Sequence, residues 1–105
     1  MGRLNGVQSS DMDKLIEQNR QAILRIAQKH GAGNVRVFGS RVRNDSRPDS
    51  DVDLLVDVVG PLTPWWPGGL IVELEELLKC SIDVGLEKEL HPLIRDQVIK
   101  EAQPL

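Results

Sequence analysis

Cysteine is nearly absent from this chain. A single thiol, Cys80, among 105 residues excludes an intrachain disulfide and a zinc site of the cysteine type. It ends an apolar helical run, where a small buried thiol is its expected role. Aromatic residues are almost as scarce: Phe38, Trp65 and Trp66 offer no ladder for stacking single-stranded bases. Basic charge is not in excess either. Thirteen Lys and Arg against sixteen Asp and Glu leave a net charge of −3, so bulk electrostatics do not draw the domain to nucleic acid. No apolar stretch approaches the roughly 18 residues of a membrane-crossing helix, and the N-terminus lacks a basic-then-apolar signal pattern. A cytoplasmic location with no membrane partner is expected. The two histidines, His30 and His91, lie at a helix end and just before a helix start. Capping or solvent exposure is their expected role, which leaves an acyl-transfer triad without a base.

What is present suits one domain with a single core. Residues 1–9 are polar and glycine-containing and are expected to be disordered, leaving residues 10–105 as the domain. Ser10 and Asp13 resemble a capping box. Beyond them, Met12, Leu15, Ile16, Ala22, Ile23 and Ile26 recur at helical spacing, interrupted by Asn19. The spacing predicts one amphipathic helix over 11–30, closed by Lys29, His30 and Gly31. A short strand follows over 34–38, with Val35 and Val37 on one face. A helical turn near 40–44 precedes a polar loop, because Pro48 prevents a long helix. A second strand covers 51–58.

Residues 59–69, VGPLTPWWPGG, read as a loop. Its adjacent tryptophans cannot easily both enter a core, so this loop is expected either to contact a protein partner or to pack over the end of the sheet. Leu70, Leu74, Leu77 and Leu78 then mark a helix with Glu73, Glu75 and Glu76 outward. Residues 81–84 form a third strand. Pro92 opens a last helix whose inner face is Leu93, Ile94, Val98 and Ala102. The order α-β-β-α-β-α describes an α+β (mixed α/β) two-layer domain.

The chemistry concentrates in residues 35–56, VRVFGSRVRNDSRPDSDVDLLV. Asp51 and Asp53 are one residue apart in an extended segment, so they point to one face about 7 Å apart. Paired acids of this kind ordinarily hold a divalent cation. Gly39 ends the preceding strand, lets a phosphate approach the backbone and tolerates unusual dihedrals. The amides after it, with the Ser40 hydroxyl, suit an anion. No second glycine with Lys-Ser or Lys-Thr follows, so this is not a Walker A loop. A pair of metal ions some 3.5–4 Å apart needs a third acid, and Asp83, flanked by Ile82 and Val84, is the candidate. Of the arginines in the intervening loop, Arg41 stands nearest the Gly-Ser and best suits bidentate phosphate contact.

Gly39-Ser40, ten residues, then Asp51-Val52-Asp53 resembles the signature of the nucleotidyltransferase superfamily that includes DNA polymerase beta. At this length the chain looks like a minimal nucleotidyltransferase, the antitoxin of HEPN–MNT toxin–antitoxin pairs. The tail SIDVGLEKELHPLIRDQVIKEAQPL is similar to that family as well. The resemblance covers about residues 10–105. It implies a mixed sheet flanked by helices, Asp51, Asp53 and Asp83 as Mg2+ ligands, and Gly39 and Ser40 at the phosphates of ATP; the chemistry of the pair of ions and the place of Arg41 in the loop add two Mg2+ ions and Arg41 to that expectation. It also implies AMPylation: transfer of AMP to a tyrosine of a HEPN RNase toxin, in a hetero-oligomeric complex. Two other functions fit the residues. One is an antitoxin that neutralises its partner by occlusion. The other, transfer to RNA or DNA ends, lacks a basic groove, and a nucleic-acid partner is not expected. The tryptophan loop departs from the family pattern, and Gly85 after the Asp83 strand removes a side chain that could hold a base.

Overall fold

The computed structural model describes residues 14–39, 42 and 51–105. The expected capping box at Ser10 and Asp13 and the start of the first helix therefore lie outside the described residues, as does most of the turn and loop after Gly39.

The first amphipathic stripe forms two consecutive helices, α1 (Lys14–Gln18) and α2 (Arg20–Lys29), where one was expected. Asn19 causes the division. Its side-chain amide donates to the Leu15 carbonyl at 2.9 Å and its own N–H to Ile16 at 3.2 Å. A short polar side chain of this type competes with the regular helical ladder. The apolar stripe survives the break, because Ile16, Ile23 and Ala27 are all buried.

β1 (Ala32–Phe38) and β2 (Val52–Val58) pair antiparallel, with the register shifting between Gly33 and Arg36. β1 starts two residues before its expected start, and Asn34 takes a positive φ of 47° within the irregularity. Helix α3 (Gly68–Leu78) then carries the chain to β3 (Ile82–Gly85), which lies parallel to β2. Parallel neighbours require such a crossover. A 3-10 turn (Glu87–Glu89) and helix α4 (Pro92–Glu101) lead to β4 (Gln103–Pro104), a short strand that the sequence pattern does not announce. The mixed sheet has the order β3-β2-β1-β4.

One face of the sheet forms the core. Val35, Val37, Val52, Leu54, Val56 and Ile82 pack with Ile16, Ile23, Ala27, Leu70, Leu74 and Leu78. Side-chain alternation sends Arg36, Phe38, Asp53, Leu55 and Asp57 to the other face, where Leu55 is also fully buried. Arg36 is anchored there by Glu87 at 2.6 Å and Asp57 at 2.8 Å. Helix α4 forms as expected, and His91 caps it by accepting the Leu93 N–H at 3.1 Å. Its apolar residues, however, supply no inner face: none is buried, and Leu93 is 88% exposed. The core side of the sheet is already filled by α2 and α3.

The two tryptophans part company. Trp66 packs against the core, whereas Trp65 is 81% exposed. The loop also ends two residues before its expected limit, because Gly68 and Gly69 belong to α3.

Candidate active site

The candidate site forms where β1 ends and β2 begins. Antiparallel pairing sets Phe38 opposite Asp53, so Gly39 emerges beside that carboxylate. Gly39 has φ +85°, and a Cβ built on it would lie 2.5 Å from Asp53 Oδ2. Glycine is thus required twice, once for the left-handed backbone and once for the close approach. The Gly39 carbonyl accepts the Val42 N–H at 3.1 Å, and Val42 is helical. That contact marks the turn expected after the strand. Ser40 and Arg41, the other residues expected at the phosphates, lie outside the described residues.

Asp53 and Asp83 are direct partners in the parallel register of β2 and β3. Neighbouring strands are about 4.8 Å apart, and parallel partners project to the same face. Two local bonds hold this register. Val52 donates to the Ser81 carbonyl at 2.8 Å, and Ile82 donates to the Glu75 carboxylate at 3.2 Å. Glu75, expected simply to face outward, therefore ties α3 to the strand bearing Asp83. Asp51 stands one residue before β2 and is exposed, as is Asp83, while Asp53 is half-buried.

Among the described residues, no three His, Cys, Asp or Glu side chains are arranged to hold a metal ion. The donor chemistry nonetheless fits a hard divalent cation: Asp53 and Asp83 share a face at one strand end, with Asp51 at the head of the same strand. On β3, a Cβ built on Gly85, two residues beyond Asp83, would meet no described atom within 4 Å.

A hollow of about 360 Å³ adjoins Gly39, lined by Phe38, Gly39, Ile94, Gln97, Val98 and Glu101. Gln97 and Glu101 are not singled out by the sequence pattern. The available signal was their i, i+3, i+4, i+7 spacing with Ile94 and Val98, which puts all four on one helix face.

His30 belongs to the other end of the sheet. It forms the C-cap of α2 as expected, its N–H donating to the Ala27 carbonyl at 3.0 Å. Its side chain, however, is buried, 5% exposed, and not solvent-facing. Its Nε2 lies 2.9 Å from Glu73 and its Nδ1 2.7 Å from Thr63 Oγ1. Lys29 Nζ reaches the same Glu73 at 2.9 Å. The hydrogen bonds from Lys29 and then His30 hold the Glu73 carboxyl below the usual carboxylate range. Glu73 is accordingly a link between α2 and α3. Since β1 separates His30 from Gly39, this cluster takes no part in the site.

The family profile described as "Nucleotidyltransferase domain" matches residues 19–105. A Methanocaldococcus jannaschii protein provisionally named a protein adenylyltransferase is 34% identical, over 83% of this chain and 94% of its own length. Thermococcus cleftensis protein adenylyltransferase MntA is 33% identical, over 72% of this chain and 77% of its own. A solved structure described provisionally as a minimal nucleotidyltransferase superposes with a TM-score of 0.75 at 42% identity, covering 90% of this chain and 97% of that one. A toxin–antitoxin crystal structure with AMP-PNP shares the fold, with a TM-score of 0.68 at 18% identity, over 82% of this chain and 71% of that one. A glycine closed onto one strand acid, with a second acid in register beside it, is therefore set in a chain that belongs to the nucleotidyltransferase domain family.

Proposed function

We propose that residues 10–105 form the adenylyltransferase domain of an antitoxin, which moves AMP from ATP to a tyrosine hydroxyl of a HEPN-family RNase toxin. The observation that carries the reading is the pairing of Asp53 with Asp83 next to a glycine shaped around the Asp53 carboxylate. The names of the relatives, protein adenylyltransferases, favour a protein acceptor. The toxin–antitoxin complex that shares the fold agrees with a toxin as that acceptor.

In this reading Asp51, Asp53 and Asp83 are the ligands of Mg2+, expected as two ions. When bound, the metal neutralises phosphate charge and lowers the barrier to displacement at the α-phosphorus. Gly39 lets the triphosphate approach the backbone, and Ser40 and Arg41 supply donors to it. The missing side chain of Gly39 leaves the space that the Asp53 carboxylate occupies, so that carboxylate keeps its place beside the strand end. Such positioning carries much of the catalysis in phosphoryl-type transfer.

The test is incubation with the toxin of its pair, ATP and magnesium, followed by intact-mass measurement. The toxin should gain AMP-sized increments, and the gain should vanish with Asp51→Asn plus Asp53→Asn. An unchanged gain in that double variant would falsify the assignment of the carboxylates. Neutralisation by occlusion is the second reading, favoured by the exposure of Trp65 and Val72, 81% and 53%, on one apolar surface at the start of α3. Under it, the double variant would still protect cells from the toxin.

A further inference from the structure

Helix α3 begins with two glycines, and the fold explains only one of them. A Cβ built on Gly69 would lie 3.0 Å from His30 Cε1, so a side chain there would press on the buried imidazole. A Cβ built on Gly68 would meet no described atom of another segment within 4 Å. Glycine weakens a helix relative to alanine, and nothing described inside the domain asks for it at Gly68. The missing side chain leaves space on the outside instead. A hollow of about 540 Å³ lies there, lined by Trp65, Gly68, Gly69, Val72 and Glu73. Spacing of three, four and seven residues puts Trp65, the two glycines and Val72 on one face, so the hollow is a notch with an exposed apolar side chain at each end.

The backbone that carries Trp65 is fixed. Its carbonyl accepts the Gly69 N–H at 3.2 Å, and the neighbouring Trp66 packs on the core while its N–H donates to the Thr63 carbonyl at 3.1 Å. Thr63 is tied in turn to His30. A tryptophan presented on a fixed backbone loses little freedom when a partner covers it, which suits the centre of an interface. Charge narrows what can cover it. α3 carries Glu73, Glu75 and Glu76. Lys29 pairs with Glu73, and Glu75 accepts the Ile82 N–H. Glu76, exposed one turn beyond Val72, forms no ion pair among the described residues, and Lys79 stands at the helix end. An acidic border repels the phosphates of a nucleotide or of an anionic lipid. It also disfavours a second copy of this chain, because two-fold pairing would set the same acids against each other. A different protein, with a basic residue beside an apolar one, meets neither obstacle.

We infer that the Trp65–Val72 hollow anchors the protein acceptor. A large aliphatic side chain of the acceptor sits between Trp65 and Val72, and a Lys or Arg about one helical turn from it meets Glu76. This inference rests on the reading above that the acceptor is a protein, the toxin of its pair. It puts the anchor at the end of the sheet remote from the acids: Gly69 adjoins His30, and β1, roughly 20 Å long, runs from that end to Gly39. Holding the acceptor and transferring AMP to it are then tasks of opposite ends of the domain.

The test is association of the full chain with the toxin of its pair, measured by calorimetry without ATP. Gly68→Leu fills the hollow where the fold leaves room. It should weaken association at least about tenfold, with a urea midpoint at or above the native one. Trp65→Ala should weaken association to a similar degree. Leu93→Lys, on α4, should leave it within about twofold of native. Glu76→Lys should slow association and remove its acceleration at low salt. With ATP and magnesium present, Gly68→Leu should raise the KM for the toxin and leave kcat and the KM for ATP in place.

Association within about twofold of native in both Gly68→Leu and Trp65→Ala would overturn the inference, as would a native chain that does not associate with the toxin. Self-association of the native chain in sedimentation velocity, abolished by Trp65→Ala, would make a second copy the occupant and overturn the choice of partner. Failure of the transfer reading is distinguishable: association would depend on Trp65 and Gly68, yet the toxin would gain no AMP-sized mass.

Discussion

β1 has a glycine at each end, and the two have nearly the same backbone: Gly31 at φ +84° and Gly39 at φ +85°. Their neighbours differ. A side chain on Gly31 would collide with the backbone carbonyl of Pro61, and the Gly31 carbonyl accepts the Val59 N–H at 2.9 Å and the Gly60 N–H at 3.3 Å. A side chain on Gly39 would collide with the Asp53 carboxylate. At the first end the close approach joins backbone to backbone, and His30, Thr63, Glu73 and Lys29 satisfy one another around it. At the second, acids from two strands gather on one face. One conformational need is thus met twice by glycine, once to close the fold and once to shape a site.

Substitution at the two glycines separates these roles most sharply. Gly31→Ala should cost about 2–4 kcal/mol in urea unfolding, because both the left-handed backbone and an immovable carbonyl oppose it. Gly39→Ala should cost about 1–2 kcal/mol, the backbone part alone, since a side-chain carboxylate can swing away. That swing displaces Asp53, so AMP transfer to the toxin should fall about 100-fold. Equal stability losses with unaltered transfer would break the comparison.

The polar cluster at the first end predicts an acid-sensitive contribution. The Glu73 carboxyl lies below its ordinary value of 4.5 in the fold, so the unfolded chain binds more protons in the window below that value. The stabilisation is complete above the unfolded value and is lost as pH falls through the folded one. The urea midpoint should therefore drop between pH 6 and pH 3 by more in the native chain than in Glu73→Gln. Parallel acid profiles would remove this cluster as a source of stability. The smallest effect belongs to Trp65→Ala. With 81% of the residue exposed, stability should change by no more than about 0.5 kcal/mol, whereas Trp66→Ala, on the core, should destabilise measurably.

Much of this architecture is legible from short-range pattern. The alternation in VDLLVDV and the leucines of α3 match β2 and the buried Leu70, Leu74 and Leu78, because the periods 2 and 3.6 are properties of the backbone itself. The same reasoning fails at α4. Its stripe of Leu93, Ile94 and Val98 has the right period, yet period alone does not say whether a surface remains for the helix to cover. Asn19 was visible as an interruption of the first stripe, but the competing amide bond that divides the helix was not. The helix-end position of His30 was legible, but its burial was not, for a related reason: its partners Thr63 and Glu73 are 33 and 43 residues away.

The sequence by itself determined the two strands around the Gly-Ser and Asp-x-Asp pattern, the acids on one strand face, and the glycine able to turn sharply between them. Those are consequences of spacing and local stereochemistry. Only the tertiary structure decided that Asp83 lies in register with Asp53, that Gly39 closes against the Asp53 carboxylate, and that α4 turns an apolar face outward beside them. Each of these depends on which distant segments pair and which surface is already filled, and strand register and packing order leave no local signature in a chain.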